Sequence, residues 1–306
     1  MLANKVSKRY RHFRKRFARQ NIDVYRLYDW DIPEIRAVVD WYGGHLVVGE
    51  YTRRQSTAEW LPLMGEAVAE ALGVEKEKVH LKERFYGKPG SERYRRIDTT
   101  NRMIIVCERD LKFYVNPWDY VDTGLFADHR NTRQIVREAS GGKDMLNLFC
   151  YTGSFTCYAA KGGAHTTVSV DRSRTAVAWA KNNLELNGLT DSSHKLIQAH
   201  AMQFLAGARR QGRSFDIAVV DPPSFSTHRT KDDNFDVNTS HPLLLEAVLE
   251  VMRPGSAIFF STNHQGFEPR LDSLKVTAIT EITSLTIPED YIRNRSPIHR
   301  CWKLIF

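Results

Sequence analysis

Apolar positions in this chain follow two rhythms, and the shifts between them mark out its elements. Val6, Tyr10, Phe13 and Phe17 recur at three- and four-residue spacing, one face of a helix over residues 1–20. Val24 to Tyr28, Ile35 to Tyr42 and His45 to Tyr51 read as strands, the last two joined at Gly43-Gly44 as a hairpin. Glu59 to Leu72 returns to helical spacing, and Gly73 ends it. Strands at 79–84, 103–108 and 111–115 complete a small α/β unit over 21–116, with a boundary near Asn116-Pro117. Over 117–306, strands near 145–149, 166–170, 195–199, 216–220, 256–261, 280–286 and 300–305 alternate with helices near 128–139, 154–161, 174–187, 200–211, 240–252 and 269–275. That alternation predicts a doubly wound α/β sheet.

Two strand exits carry chemistry. Ile217 to Val220 is a buried-strand run that ends in Asp221-Pro222-Pro223, with Phe225 two residues on. The prolines neither continue a strand nor start a helix cleanly, so a carboxylate and a ring stand on stiff backbone at the carboxyl edge of the sheet, where open α/β sheets bind ligands. The pair suits a flat polar group such as a nucleobase. Upstream, Asp144 to Phe149 is followed by Tyr151-Thr152-Gly153-Ser154, a short helix, and a strand ending at Val170-Asp171. This is a first βαβ of a nucleotide-binding sheet, with the second acid placed to accept hydrogen bonds from ribose hydroxyls. The turn has one glycine where a pyrophosphate needs the longer glycine pattern. A nucleoside ligand without phosphates, S-adenosylmethionine above all, fits better than a dinucleotide.

Composition narrows the partner. Net charge is +8 over 306 residues, which favours a polyanion. Residues 1–20 hold eight Lys/Arg and no acid, and Lys8, Arg11, Lys15 and Arg19 share one helix face as expected phosphate contacts. A second cluster from Lys82 and Arg84 to Arg95 interleaves cations with Phe85, Tyr86 and Tyr94, an arrangement that serves stacking on unpaired bases and is equally the look of a solvated hairpin tip. No apolar stretch approaches 18 residues and no signal-peptide pattern opens the chain, so a cytoplasmic location is expected. The four cysteines lack metal-ligand spacing, and no metal is expected.

The strings Asn147-Leu-Phe-Cys-Tyr-Thr-Gly-Ser154, Val170-Asp171-Arg-Ser-Arg-Thr175, Trp179 to Leu189 and Asp221-Pro-Pro-Ser-Phe-Ser226 resemble class I, Rossmann-like S-adenosylmethionine-dependent methyltransferases. With Tyr25 to Asp29, Asp122 to Arg130 and Arg293 to His299, the likeness covers essentially the whole chain, and more narrowly it resembles the C-terminal, guanine-N7 half of the bifunctional bacterial 23S ribosomal RNA methyltransferases. The resemblance implies a seven-stranded sheet with late antiparallel additions. It also implies a cofactor site at Phe126, Arg130, Asn147, Phe149, Tyr151, Thr152, Gly153, Ser154, Asp171, Arg172, Ser173, Ala199, His200, Ala201 and Asp221, and a substrate site at Asp221, Pro222, Pro223 and Phe225. The implied partner is 23S ribosomal RNA or a large-subunit precursor. A separate guanine-N2 methyltransferase half is a further candidate partner, because the family's other half is missing and the chain is either a separate gene product or a fragment. His200 stands where the family resembles an adenine-binding Asp.

Chemistry separates the candidate reactions. Guanine N7 attacks a methyl sulfonium with an in-plane lone pair and needs no general base, so catalysis reduces to positioning and exclusion of water. Methylation at cytosine C5 needs a cysteine nucleophile, and neither 221–226 nor 260–263 contains one. Exocyclic-amine methylation of guanine N2 or adenine N6 uses the same Asp-Pro-Pro-aromatic grip and stays open as an alternative. So does a non-catalytic RNA-binding or ribosome-assembly factor, which His200 encourages.

Overall fold

An acid-free helix with an aromatic stripe gains most by burying the stripe and leaving its charges in water. Helix α1, Leu2–Arg19, does this: Leu2, Val6, Phe13 and Phe17 are buried, while Lys8, Arg11, Lys15 and Arg19 are exposed on the opposite face. Each such side chain contributes about 1.5–3 kcal/mol of burial. The computed structural model describes residues 1–52, 56–85, 96–226, 235–293 and 295–306. These form two compact units, Met1–Ala127 with Glu289–Arg295, and Asp128–Pro288 with Ser296–Phe306. The structural division therefore falls at 127/128, later than the 116/117 boundary expected from the sequence, and the first unit takes back a segment from near the end of the chain.

In the first unit, β1 (Val24–Asp29), β2 (Ala37–Tyr42), β3 (His45–Thr52) and β4 (Val79–Phe85) pair in that order. The first three are antiparallel, and β4 joins β3 in parallel after the crossover helix α2 (Trp60–Leu72). Both Gly43 and Gly44 have positive φ, +53° and +99°, which the tight β2–β3 turn demands. A hairpin of β5 (Ile104–Glu108) and β6 (Leu111–Val115) follows. Asp29 is buried under three guanidinium groups: Arg26 at 2.5 Å, Arg293 at 2.9 Å and Arg295 at 2.6 Å. Burial pushes its carboxyl upward, but Arg26, Arg293 and Arg295 overcome this and hold it at about 2. Arg26 also forks onto Asp40 at 2.8 and 3.0 Å. Segment 289–295 is thus tied into the first unit by charge.

In the second unit, α3 (Arg130–Ala139) precedes β7 (Asp144–Leu148), α4 (Ser154–Lys161), β8 (Thr166–Asp171), α5 (Arg174–Leu186), β9 (His194–Gln198), α6 (Ala201–Arg210) and β10 (Phe215–Val220). After the short β11 (Phe225–Ser226) and β12 (Phe235–Asp236) come α7 (Val237–Leu249), β13 (Met252–Thr262), β14 (Ala278–Glu281), α8 (Thr283–Thr286) and β15 (Arg300–Ile305). Among the described residues the main sheet has seven strands, ordered β14-β15-β13-β10-β7-β8-β9. β13, β10, β7, β8 and β9 are parallel, and β15 is inserted antiparallel between β13 and β14. This is the Rossmann-like sheet expected from the sequence. β7 sits between β10 and β8, so the chain reverses direction across the sheet beside it and opens a crevice at the strands' carboxyl ends.

One expected helix is absent and one expected strand is displaced, to Ala278–Glu281. Residues 269–275 form turns: Phe267, Leu271 and Leu274 are buried at helix-like spacing, yet the Arg270 N–H donates to His241 Nε2 at 3.0 Å and the Leu274 N–H to the Leu271 carbonyl, so helical ladder bonds do not form. The strand expected at 280–286 stops at Glu281 and turns into α8. There the Thr283 hydroxyl accepts from the Cys301 N–H at 3.0 Å, and that of Thr286 donates to the Thr283 carbonyl at 2.9 Å, local bonds that compete with a strand ladder. α7 begins earlier than expected, at Val237, because the Asp236 side chain caps it by accepting from the Asn238 N–H. No helix among the described residues is long and apolar enough to cross a membrane.

Candidate active site

The turn after β7 is shaped by left-handed backbone. Phe149, Tyr151 and Gly153 have φ of +56°, +48° and +74°, and two of these carry side chains, a conformation that costs free energy and concentrates at ligand sites. Gly153 caps α4, and a Cβ there would stand 2.8 Å from Ala180 Cβ, so only glycine lets α4 and α5 approach. Asp171 closes β8. Its carboxylate accepts the Tyr151 N–H at 2.9 Å and the Ser173 N–H at 2.8 Å, binding the turn and the start of α5 into one platform. Burial raises its pKa, while those amide donors pull it down. Ser173 caps α5 through its side chain, which accepts from the Ala176 N–H. Beyond this platform, Arg172, Gln198, Ala199, His200 and Gln203 line an open groove of about 250 Å³. His200 stands at the N-cap of α6 without making a side-chain capping bond. Ala201 is buried just behind it.

The second strand exit lies on the other side of β7. Asp221 follows β10, and its Oδ1 accepts a hydrogen bond from the Ser261 hydroxyl on β13 at 2.6 Å. Pro222 is buried and Pro223 half-buried, stiffening the exit. Ser224 donates to Asn263 Oδ1 at 2.7 Å. The Phe225 ring is half-buried, edge-on to His264 with centroids 5.2 Å apart. Residues 227–234 lie outside the described residues.

Several expected site residues have other employment. The Asn147 side chain is buried and donates to Thr156 Oγ1 at 2.9 Å, which in turn meets Ser169 Oγ at 2.6 Å; these bonds join β7, α4 and β8, and Asn147 serves the core. The Thr152 side chain is buried, and its carbonyl accepts from Asn183. Arg130 is buried at the start of α3. Phe126 belongs to the first unit, outside the site described for the second. Among the expected phosphate contacts, Lys82 is corrected: only 2% exposed, it donates to the Trp118 carbonyl at 3.2 Å, and burial lowers its pKa to about 8. Arg84 pairs with Asp122 at 3.4 Å. Arg95 lies outside the described residues.

A further group has no signature in the sequence. His129 stacks on His299 with centroids 4.1 Å apart and planes 11° from parallel. His299 Nδ1 meets Asp128 Oδ2 at 3.1 Å, and His129 Nε2 lies 3.7 Å from Asp221 Oδ2. The strings Asp122 to Arg130 and Arg293 to His299 entered the resemblance, but no local pattern joins residues so far apart in the chain. Cys150 and Cys157 are buried, and burial raises both thiols. That keeps them protonated and makes them poor nucleophiles.

The platform suits a nucleoside: a carboxylate at the end of β8 and an open groove beside it. The S-adenosylmethionine-dependent methyltransferase family matches residues 78–295. Ribosomal RNA large subunit methyltransferase K of Neisseria meningitidis serogroup B is 40% identical over 309 aligned residues, which cover 99% of this chain and 86% of that protein. Ribosomal RNA large subunit methyltransferase K/L of Shewanella loihica is 39% identical, with 98% of this chain covering 42% of that longer protein. A solved structure described as a methyltransferase complexed with SAH shares the fold with a TM-score of 0.78 at 23% identity, covering 99% of this chain and 82% of the other. S-adenosylmethionine is therefore the cofactor, and the chain belongs to the class I S-adenosylmethionine-dependent methyltransferases, in the family of ribosomal RNA large subunit methyltransferase K.

Proposed function

We propose that this protein methylates N7 of a guanosine in 23S ribosomal RNA. The observation that carries the reading is the pair of strand-end carboxylates, Asp171 and Asp221, which follow the two strands flanking β7. Asp171 would accept the ribose hydroxyls, and the groove at Ala199, His200 and Ala201 would take the adenine, with backbone groups doing what His200 cannot do as a charge. When bound, S-adenosylmethionine supplies an electrophilic methyl on a sulfonium. Asp221 would hold the target base by accepting from its amino group, with one carboxylate oxygen already engaged by Ser261. Phe225 would stack on the base once it leaves the helix. As N7 alkylates, the purine gains positive charge, and a carboxylate and a π face nearby favour that charge over the neutral ground state. The exposed face of α1 would lie along RNA phosphates.

The names of the two ribosomal RNA relatives support RNA of the large subunit as the substrate class. Incubation with tritiated S-adenosylmethionine and ribosomal RNA from a strain lacking the gene, followed by digestion, tests the position. N7-methylguanosine is expected as the labelled nucleoside. Label in N2-methylguanosine or N6-methyladenosine would assign the exocyclic-amine reaction instead, and no S-adenosylmethionine binding by calorimetry would point to a non-catalytic role.

A further inference from the structure

The exit from β10 is rich in hydrogen-bond acceptors and poor in donors. Asp221 carries a carboxylate, which accepts only when ionised, and Pro222 and Pro223 have no backbone N–H. Such an exit can take an exocyclic amino group, and guanine and adenine both carry one. What separates the two purines at ring position 6 is a keto oxygen in guanine against an amino group in adenine. Selecting guanine therefore needs a donor from outside residues 221–223.

The exit from β13 runs beside it. Val220 pairs with Phe260 in the parallel ladder, and three side-chain rungs continue the match beyond that pair. Ser261 donates to Asp221 Oδ1 at 2.6 Å, Ser224 donates to Asn263 Oδ1 at 2.7 Å, and the rings of His264 and Phe225 meet with centroids 5.2 Å apart. Asn263 stands in a braced turn. The His264 N–H donates to Thr262 Oγ1 at 3.2 Å, and the Gln265 side chain donates to the carbonyls of Asn263 at 3.4 Å and Pro297 at 3.2 Å. Both serine hydroxyls spend their one proton on these rungs. The Asn263 amide keeps its own: Oδ1 is taken by Ser224, while Nδ2 has no hydrogen-bond partner among the described residues and is not sealed from solvent.

We propose that Asn263 is the residue that selects guanine: its Nδ2–H donates to O6 of the target base, while Asp221 accepts from the amino group. The Ser224 hydroxyl fixes the amide by its oxygen, so the amide offers its donor end to the base. Adenine would set its own amino donor against Nδ2 and leave both unsatisfied. This inference rests on the reading that the target is a guanosine held by Asp221. The competing role is structural, with Asn263 no more than a brace for Ser224. Aspartate separates the two, because it keeps the oxygen that Ser224 needs and replaces the donor with an acceptor.

The test uses the full protein and S-adenosylmethionine with unmodified ribosomal RNA fragments that carry guanosine or adenosine at the nucleotide located by the labelling experiment, and reads kcat/KM for the two in competition. Asn263→Ala should slow methylation of the guanosine fragment by about 10- to 100-fold, because O6 loses its donor. Asn263→Asp should slow it at least as much and should narrow the preference for guanosine over adenosine by about tenfold more than Asn263→Ala does, since an acceptor now meets the adenine amino group. Cofactor affinity by calorimetry should change by less than about threefold in both variants, because the platform at Asp171 is separate. An Asn263→Asp variant with the wild-type rate and preference would overturn the proposal and leave the brace; an amide turned over, with Oδ1 toward the base, would give that same result. Equal slowing on both fragments would also overturn it, since a lost brace or an added charge does not distinguish the bases. Inosine at the target keeps O6 and lacks the amino group, so it tests Asp221 apart from Asn263: wild type should be slowed on it, and an unchanged rate would fault the Asp221 assignment alone. Label recovered as N6-methyladenosine from whole ribosomal RNA would remove the guanosine reading itself, a different result from an unchanged preference.

Discussion

At the scale of single residues, the site is a set of carboxylates with contrasting surroundings. Asp171 is half-buried and held by two backbone N–H groups, so its loss removes both a ribose acceptor and the bond that ties Tyr151 to β8. Asp171→Ala should weaken S-adenosylmethionine binding by about 1.5–3 kcal/mol, the worth of hydrogen bonds to a charged acceptor. Isothermal calorimetry measures this directly, and unchanged affinity would place the ribose elsewhere. Asp221 differs in having one oxygen committed to Ser261 and the other facing an imidazole. Phe225→Ala should cost about 1–3 kcal/mol of RNA affinity through weaker base stacking and leave cofactor affinity unchanged. An RNA-binding titration beside calorimetry separates the two effects.

At the scale of elements, α1 shows how one helix can divide its labour by face. Its apolar side is sealed by the stacked Phe13 and Phe17 rings, 5.0 Å apart, against the core of the first unit. Some of its cations are spent internally, Arg16 on Glu289 at 2.7 Å and Arg9 on Asp31 at 3.8 Å. The exposed four, Lys8, Arg11, Lys15 and Arg19, stand on the other side. Replacing all four with Gln should lower RNA affinity and flatten the slope of log K against log salt by roughly 0.7–0.9 for each phosphate that is no longer neutralised. The melting temperature should hold, because the docking face is untouched. A lowered melting temperature with an unchanged slope would make α1 a brace alone.

At the scale of the whole molecule, the chain leaves the second unit at Glu289 and rejoins it at Ser296, lending the intervening segment to the first unit. Charge secures that loan. Asp29, only 4% exposed, is the common acceptor for Arg26, Arg293 and Arg295. Its folded pKa of about 2 lies below its ordinary 3.8, so the stabilisation is present above that ordinary value and is lost as pH falls through the folded one. The difference corresponds to about 2–3 kcal/mol. Asp29→Asn should cost about 3–5 kcal/mol near neutral pH, because the largely buried Arg26 and Arg293 both lose a counter-charge. In urea unfolding the gap between wild type and variant should narrow toward pH 2. A gap independent of pH would mean that packing, not charge, holds the segment.

Patterns that run along the backbone were legible without the structure. The spacing of Val6, Phe13 and Phe17, the Gly43-Gly44 turn, the alternation of strands and helices, and the acids at the ends of β8 and β10 all follow from neighbours in sequence, because burial repeats with the period of the element. What periodicity reports is which face turns inward. It says nothing about which distant partner a side chain meets there. Phe267, Leu271 and Leu274 have helical spacing, but His241 claims a backbone N–H and the segment turns. Lys82 lies in a basic cluster, yet the strand that carries it turns its side chain toward the Trp118 carbonyl. Asn147 stands at the cofactor turn, and Thr156 takes its amide. His299 is 171 residues from Asp128 in the chain and 3.1 Å from it in the fold. Only the sheet order, which lays β15 beside β13 and brings His299 and Asp221 into one site, could decide that pairing. Local spacing determines which residues reach a strand's end; the pairing of remote strands decides which of them meet.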